Sequence, residues 1–358
     1  MKLIRNSVLA SLGIMFLTGC HAFKDDLPNC PKPMAEIKFS YTMNMALEDR
    51  FAESVHCIDL YVFRVVDNAN AETKADGKTT QFVAEYHEDN NDVIRTGKLT
   101  VTMELAPGDY QAVVYGGMSC SQSSFDKLFT ENENLTVDDL QVALNTNYYF
   151  DDTDETGDPT DDDIDRSALE LHDHFFGIAS FSVYEQTTTP VTIDVMKNTN
   201  TIHVKLKNDD GSAIDPEEFR MYIVDDNNFL DSDNEIFETG AIAYRPYFKD
   251  FETPGELSTM KASFNVSKLH KENDPRLIVL SKTRIDKQLM IDQHLMSGIL
   301  AAKDAFGTLG SQMDDQEFLD RNDEWEFTFT IDTVKNTWLS LTIKVNDWEV
   351  RFDNFEAE

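Results

Sequence analysis

From Cys57 to Val66 the chain runs Cys-Ile-Asp-Leu-Tyr-Val-Phe-Arg-Val-Val, an apolar segment interrupted only by Asp59 and Arg64. Such a run, rich in β-branched and aromatic residues, suits a central strand covered on both faces. Upstream, Ile37, Phe39, Tyr41 and Met43 alternate and so share one face of a strand. Further strands are predicted at Thr80–Tyr86, Lys98–Leu105, Asp109–Tyr115, Leu140–Leu144, Gly177–Val183 and Val191–Val195. Pro107-Gly108 supplies a turn, and Gly116-Gly117 ends a strand with backbone freedom that a side chain would deny. A second series opens at Thr201–Leu206, after Lys197-Asn198-Thr199-Asn200, and includes Met221–Val224 and Lys261–Val266. It closes on a hairpin, Trp325–Ile331 and Trp338–Val345, turning through Asp332–Asn336. Helical spacing is confined to Ile285, Leu289, Leu295, Ile299 and Leu300. Many short strands and little helix predict an all-β fold of two sandwich domains in series, residues 34–198 and 199–358.

A leader precedes the first strand. Lys2 and Arg5 give it a positive start, Val8–Leu17 is almost unbroken apolar sequence, and Leu17-Thr18-Gly19-Cys20 follows. The apolar stretch is about half of the roughly 20 residues a helix needs to cross a bilayer, so it reads as a cleaved signal. Small residues before a cysteine are the bacterial lipoprotein cleavage pattern. Residues 1–19 are therefore read as a signal peptide and Cys20 as the acylated first residue of the mature chain. One acyl chain holds a protein to a membrane only marginally, and two or more hold it stably. Residues 20–33, polar and broken by Pro28, Pro31 and Pro33, suit an extended stalk.

The net charge of −35 offers no basic stripe for nucleic acid and no attraction to an anionic lipid face. With Cys20 acylated, Cys30, Cys57 and Cys120 remain, an odd number for an exported protein. A Cys30–Cys57 bridge would pin the tethered segment to the fold; the alternative is three buried thiols. In the acidic stretch 151–165, Asp152, Asp154, Thr156, Gly157 and Asp163 fall at positions 1, 3, 5, 6 and 12 of a calcium loop. Thr156, the short Asp163 and the internal Pro159 depart from that template, so a solvated excursion is the favoured reading and weak calcium binding the alternative. His172-Asp173-His174 places two imidazoles on one strand face, but no third zinc ligand is identified. There is no G-x-S-x-G or H-E-x-x-H motif, and the chain is read as non-enzymatic, with no small-molecule substrate. Trp325, Trp338 and Trp348 could form a glycan platform; core positions are favoured for the first two.

Taken in order, these segments resemble the FimB-like anchor subunits of Bacteroidales type V pili. The likeness is carried by Leu17-Thr18-Gly19-Cys20, Asp26-Leu27-Pro28-Asn29-Cys30-Pro31, Cys57–Phe63, Leu105–Tyr110 and Tyr115-Gly116-Gly117. It continues through Asn198–Ile202, Phe318–Arg321, Trp325-Glu326-Phe327 and Val345-Asn346-Asp347-Trp348, where Asp347 stands in place of the family's usual glycine. The resemblance implies two transthyretin-like β-sandwich domains with Greek-key-type topology. It implies an outer-membrane lipoprotein, with Lys24-Asp25-Asp26 similar to the acidic surface-export signal of that phylum. It also implies a place at the base of a filament, fixing it to the cell, limiting its length and joining its shaft subunits by strand exchange. An anchor locked in lipid at its N-terminus should donate its C-terminal segment, Trp338 to Phe355. Leu339, Leu341, Ile343 and Val345 form one face of that segment, and Trp348 follows them. The alternatives are a glycan-binding surface lipoprotein and a filament-tip adhesin.

Overall fold

The computed structural model of the chain describes residues 31–67, 77–120, 123–150, 169–237, 240–281, 289–335, 337–345 and 348–353. In the first half the strands are β1 (Met34–Ser40), β2 (Ile58–Asp67), β3 (Lys78–Glu88), β4 (Thr100–Glu104) and β5 (Gly108–Gly116). After these come β6 (Phe125–Lys127), β7 (Val142–Leu144), β8 (Tyr149–Phe150), β9 (Phe175–Val183), β10 (Thr188–Asp194) and β11 (Met196–Lys197). Two short helices, α1 (Phe51–Ser54) and α2 (Asn91–Ile94), lie in the connections. One sheet has the order β10-β1-β4 and faces a second, β11-β9-β5-β2-β3. Between them Ile37, Phe39, Leu60, Val62, Ala112, Val114 and Ile193 form a core.

The sequence 57–66 is apolar on both sides because β2 has two cores to fill. Ile58, Leu60 and Val62 enter the first, while Tyr61 and Phe63 face a second on the opposite side of the sheet. That second core is covered by a lobe between β5 and β9, through Phe125, Leu135, Val137, Leu140, Val142 and Leu144. It then runs on without a break into the second half of the molecule.

The second half contains β12 (Asn200–Asn208), β13 (Phe219–Asp225), β14 (Phe229–Leu230), β15 (Ile242–Tyr244), β16 (Phe248–Phe251), β17 (Thr259–Val266), β18 (Arg276–Ser281) and β19 (Leu289–His294). Three helices follow, α3 (Met296–Ala305), α4 (Thr308–Gln312) and α5 (Asp315–Arg321). The chain ends on β20 (Glu324–Ile331), β21 (Trp338–Val345) and β22 (Trp348–Asp353). A six-stranded sheet, β16-β17-β12-β20-β21-β22, opposes a five-stranded one, β19-β18-β13-β15-β8. The last strand of the latter comes from the first half: Tyr149 of β8 pairs with Tyr244 of β15. A small sheet, β14-β7-β6, adds a second seam between the halves.

The architecture is all-β, and the long strands lie where alternation predicts them. The segment with helical spacing is a correction. Leu289 belongs to β19, and the helix starts only at Met296, so the predicted period spans a strand–helix junction. Of its residues, Leu295 and Ile299 are buried at the start of α3 and on it, while Ile285 lies outside the described residues.

The cysteine pairing is a second correction. Cys57 is bonded to Cys120, with Cα atoms 5.7 Å apart, and so is not available to Cys30, which lies outside the described residues. The cause is local. β5 pairs with β2 so that Gly116 stands opposite Ile58, and the Gly117 amide donates to the Cys57 carbonyl at 3.2 Å. The chain leaving β5 thus passes beside Cys57. Gly117 has φ +83°, and a Cβ there would lie 1.9 Å from the Asp173 carbonyl oxygen, so only glycine makes the approach.

Candidate assembly site

The two ends of the folded chain are held very differently. β1 has a neighbour on each side for most of its length: Ile37 stands opposite Val191 of β10, in parallel, and Val101 of β4, antiparallel. Ala35, Ile37 and Phe39 are buried beneath it. Its exit is fixed by Asp194, whose Oδ1 accepts from the Ser40 hydroxyl at 2.9 Å and the Thr42 amide at 2.8 Å.

Among the described residues β22 pairs with β21 alone and ends the six-stranded sheet. Phe352 stands opposite Leu341, and Val350 opposite Ile343. Val350 and Phe352 are half-buried against the second core. The residues singled out in the sequence therefore separate. Trp338, Leu339, Leu341, Ile343 and Val345 belong to β21, an interior strand laddered to both β20 and β22, and Trp348 opens the edge strand. Leu341, Ile343 and Val345 are buried; Leu339 is half-buried, as is Trp338, set edge-on to Phe329 with ring centres 6.0 Å apart. Removing β21 would break two ladders and expose three aliphatic side chains, each costing about 1.5–3 kcal/mol. Removing β22 breaks one ladder.

Beneath these strands lies the helical insert. A Cβ built on Gly298 would sit 2.4 Å from Ile343 Cδ1, so α3 rests directly on β21 at its one glycine. Phe306, the C-cap of α3, packs on Phe318 of α5 with ring centres 5.4 Å apart, and Phe318 packs on Trp325 of β20 at 5.7 Å. Trp325 is fully buried and donates Nε1–H to Asn200 Oδ1 at 3.1 Å, which makes it core. At the end of α5, Arg321 pairs Nε with Glu317 Oε1 at 2.9 Å. It donates Nη1–H to the carbonyls of Thr42 and Asn44 at 3.1 and 3.4 Å, just beyond β1. A cleft of about 430 Å³ lies beside this contact, lined by Tyr41, Arg50, Phe306 and Glu324.

Beside the apolar core that crosses between the halves lies a polar cluster. The connection Asn198-Thr199 is buried, and the Asn198 and Asn234 amides exchange hydrogen bonds of 2.7 and 3.0 Å. Lys197 lies between Asp173 at 3.0 Å and Asp323 at 2.8 Å. Burial alone would depress its pKa, but the two carboxylates outweigh that and hold it above the ordinary lysine value. Burial pushes His174 down to about 3 and keeps it neutral, while burial pushes Asp225 in β13 up to about 7, helped by Asp226 and Asp274. Among the described residues, His174 Nε2 and Asp225 Oδ2 have no hydrogen-bond partner.

His172 and His174 do not act together. His172 Nδ1 lies 3.1 Å from the Ser124 hydroxyl, whereas the His174 ring stacks on Phe125 with centroids 4.4 Å apart. Cys20, Lys24, Asp25, Asp26 and Cys30 lie outside the described residues, as do Asp152, Asp154 and Asp163. Sequence reasoning named Cys120 and Arg321 but missed the pairing of Cys57 with Cys120 and the reach of Arg321 to Thr42 and Asn44, and it missed Gly298 and the helix that carries Arg321. A signal for that helix was present in Asp314-x-x-Glu317: Asp314 Oδ1 caps the Glu317 amide at 2.9 Å.

Solved structures share this architecture. A candidate adhesin of Bacteroides thetaiotaomicron is 28% identical, with a TM-score of 0.71 over 90% of this chain and 99% of its own. A candidate polysaccharide-binding protein of the same organism is 20% identical, with a TM-score of 0.71 over 91% and 100%. The fimbrial anchor protein Mfa2 of Porphyromonas gingivalis is 13% identical, with a TM-score of 0.61 over 88% and 98%, a likeness of fold. No curated protein sequence matches the chain. The model of one protein family covers residues 27–354, and the chain accordingly belongs to the fimbrillin-A associated anchor proteins Mfa1 and Mfa2.

Proposed function

We propose that this chain is the basal subunit of a surface filament, held in the outer membrane by lipid on Cys20 and joined to the first shaft subunit through its C-terminal edge strand. The observation that carries the reading is the contrast in strand position: β1 is interior to its sheet, and β22 is the edge of another. An unpaired edge presents a row of amide and carbonyl groups to a partner backbone, the physical basis of strand addition. The donor assignment therefore narrows from Trp338–Phe355 to β22 and the residues after it, because β21 is part of the protein's own core. Surface export through Lys24-Asp25-Asp26 and a limit on filament length are part of the same reading. So is the division after residue 198 into two transthyretin-like sandwiches.

Removing Trp348–Glu358 is the test. The protein should stay folded and lipidated while filaments appear in the medium, counted by immunoblot of cell and supernatant fractions. Filaments that stay on the cells would refute the donor assignment. Cys20→Ala should instead release protein and filaments together.

A further inference from the structure

We propose that α3 is a clamp on β22, and that Arg321 keeps the clamp shut by tying the helical insert to the segment that follows β1. The inference rests on the reading of β22 as the donated strand and concerns how that strand is retained until it is needed.

Among the described residues β22 has one ladder and no partner on its outer edge, so its inward face must supply the rest of its hold. That face meets α3. Ile299 and Ala302 of the helix share a core with Ile343, and Val350 and Phe352 of β22 pack against that core. Gly298 lets the helix descend onto β21 until a methyl group would collide with Ile343. At that depth α3 overlies both terminal strands, and β22 cannot carry Val350 and Phe352 away without uncovering it.

What keeps α3 in place comes from the other half of the molecule. Lys303 pairs with Asp315, and Phe306 packs on Phe318, so α3 and α5 move together. Arg321, at the end of α5, is bound to the Thr42 and Asn44 carbonyls. The Thr42 carbonyl is placed by the seating of β1, because Asp194 of β10 accepts from both the Ser40 hydroxyl and the Thr42 amide. The contacts thus form a continuous path from β1 to β22. Its use is to prevent the C-terminal strand from pairing before the first half has folded.

Amide hydrogen exchange on the intact protein in detergent tests the clamp. A hydrogen bond from a charged donor contributes about 1.5–3 kcal/mol, so Arg321→Ala should accelerate the β22 amides roughly tenfold or more. The interior strand β12 should be unchanged, and Arg321→Lys, which keeps the charge, should give a smaller acceleration. Gly298→Val, which lifts α3 at a different point, should also expose β22 selectively. Unchanged β22 exchange in Arg321→Ala, or equal acceleration of β22 and β12, overturns the clamp. Selective acceleration of β22, in a protein whose β22 truncation leaves filaments on the cell, keeps the clamp and removes the donor reading instead.

Discussion

β1 and β22 are both terminal strands of similar length, yet they sit at opposite extremes of commitment to the fold. β1 is laddered on two sides and buries Ala35, Ile37 and Phe39, whereas β22 is laddered on one side with its inward residues half-buried. The difference is one of sheet position more than of composition. Met34–Ser40 carries four apolar residues in seven and Trp348–Asp353 three in six, a small difference, but one strand lies between two partners and the other, among the described residues, has a single partner. On the proposed function, the interior strand is the end that bears load and the peripheral strand the end that is exchanged.

Four changes probe that contrast, from the largest expected effect to the smallest. Ile37→Asp puts a charge into a fully buried site between two ladders and should unfold the first half, read as loss of the near-UV circular dichroism signal. A protein that melts normally with this change would show that β1 is dispensable. Cys57→Ser opens a loop that spans 63 positions, a loss of about 4 kcal/mol by chain entropy, and should lower Tm by roughly 10 °C. Adding reductant to the wild-type protein should reproduce the shift.

Asn198→Ala strands the Asn234 amide in the seam at a cost of about 1–3 kcal/mol, seen as an earlier midpoint in urea. Truncation before Trp348 should move the melting temperature least of all, within a few degrees. A large drop there would mean that β22 is structural, and the contrast between the two ends would fail.

Two buried groups sharpen the comparison through pH. Asp225 has a folded pKa of about 7, above its unfolded value of 3.8. The folded state therefore binds the extra proton, and this group's contribution is full below 3.8 and lost as pH rises toward 7. Asp225→Asn should leave stability unchanged near pH 4 and raise it above pH 7. His174 slopes the other way: its folded pKa of about 3 lies below the unfolded 6.5, so stability is present above 6.5 and lost as pH falls toward 3. His174→Gln should flatten the acid limb of the stability profile measured by urea titration between pH 4 and 7.

The long strands and the all-β class were legible because alternation is a local property of the chain. β2 announced its two covered faces in ten residues, and Pro107-Gly108 announced the turn into β5. What could not be read was set by partners far away. Cys57 meets Cys120 only because β5 pairs with β2, a register that no spacing rule contains. β21 and β22 look alike as donors in sequence, and only the sheet order separates interior from edge. β8 is two residues long and becomes a strand only because β15 stands beside it. The helix at 296 was joined to β19 because Ile285/Leu289 and Leu295/Ile299 are each four residues apart, on opposite sides of a junction.

The borrowed strand has a consequence for biogenesis. Tyr149 finds its partner, Tyr244, only after about a hundred further residues have emerged, so the lobe that carries β8 must wait with its apolar face uncovered. The sheet of the second half is thus completed by the first, and a nascent chain stalled between Phe150 and Ile242 would present a sticky, half-made surface to whatever holdase attends it.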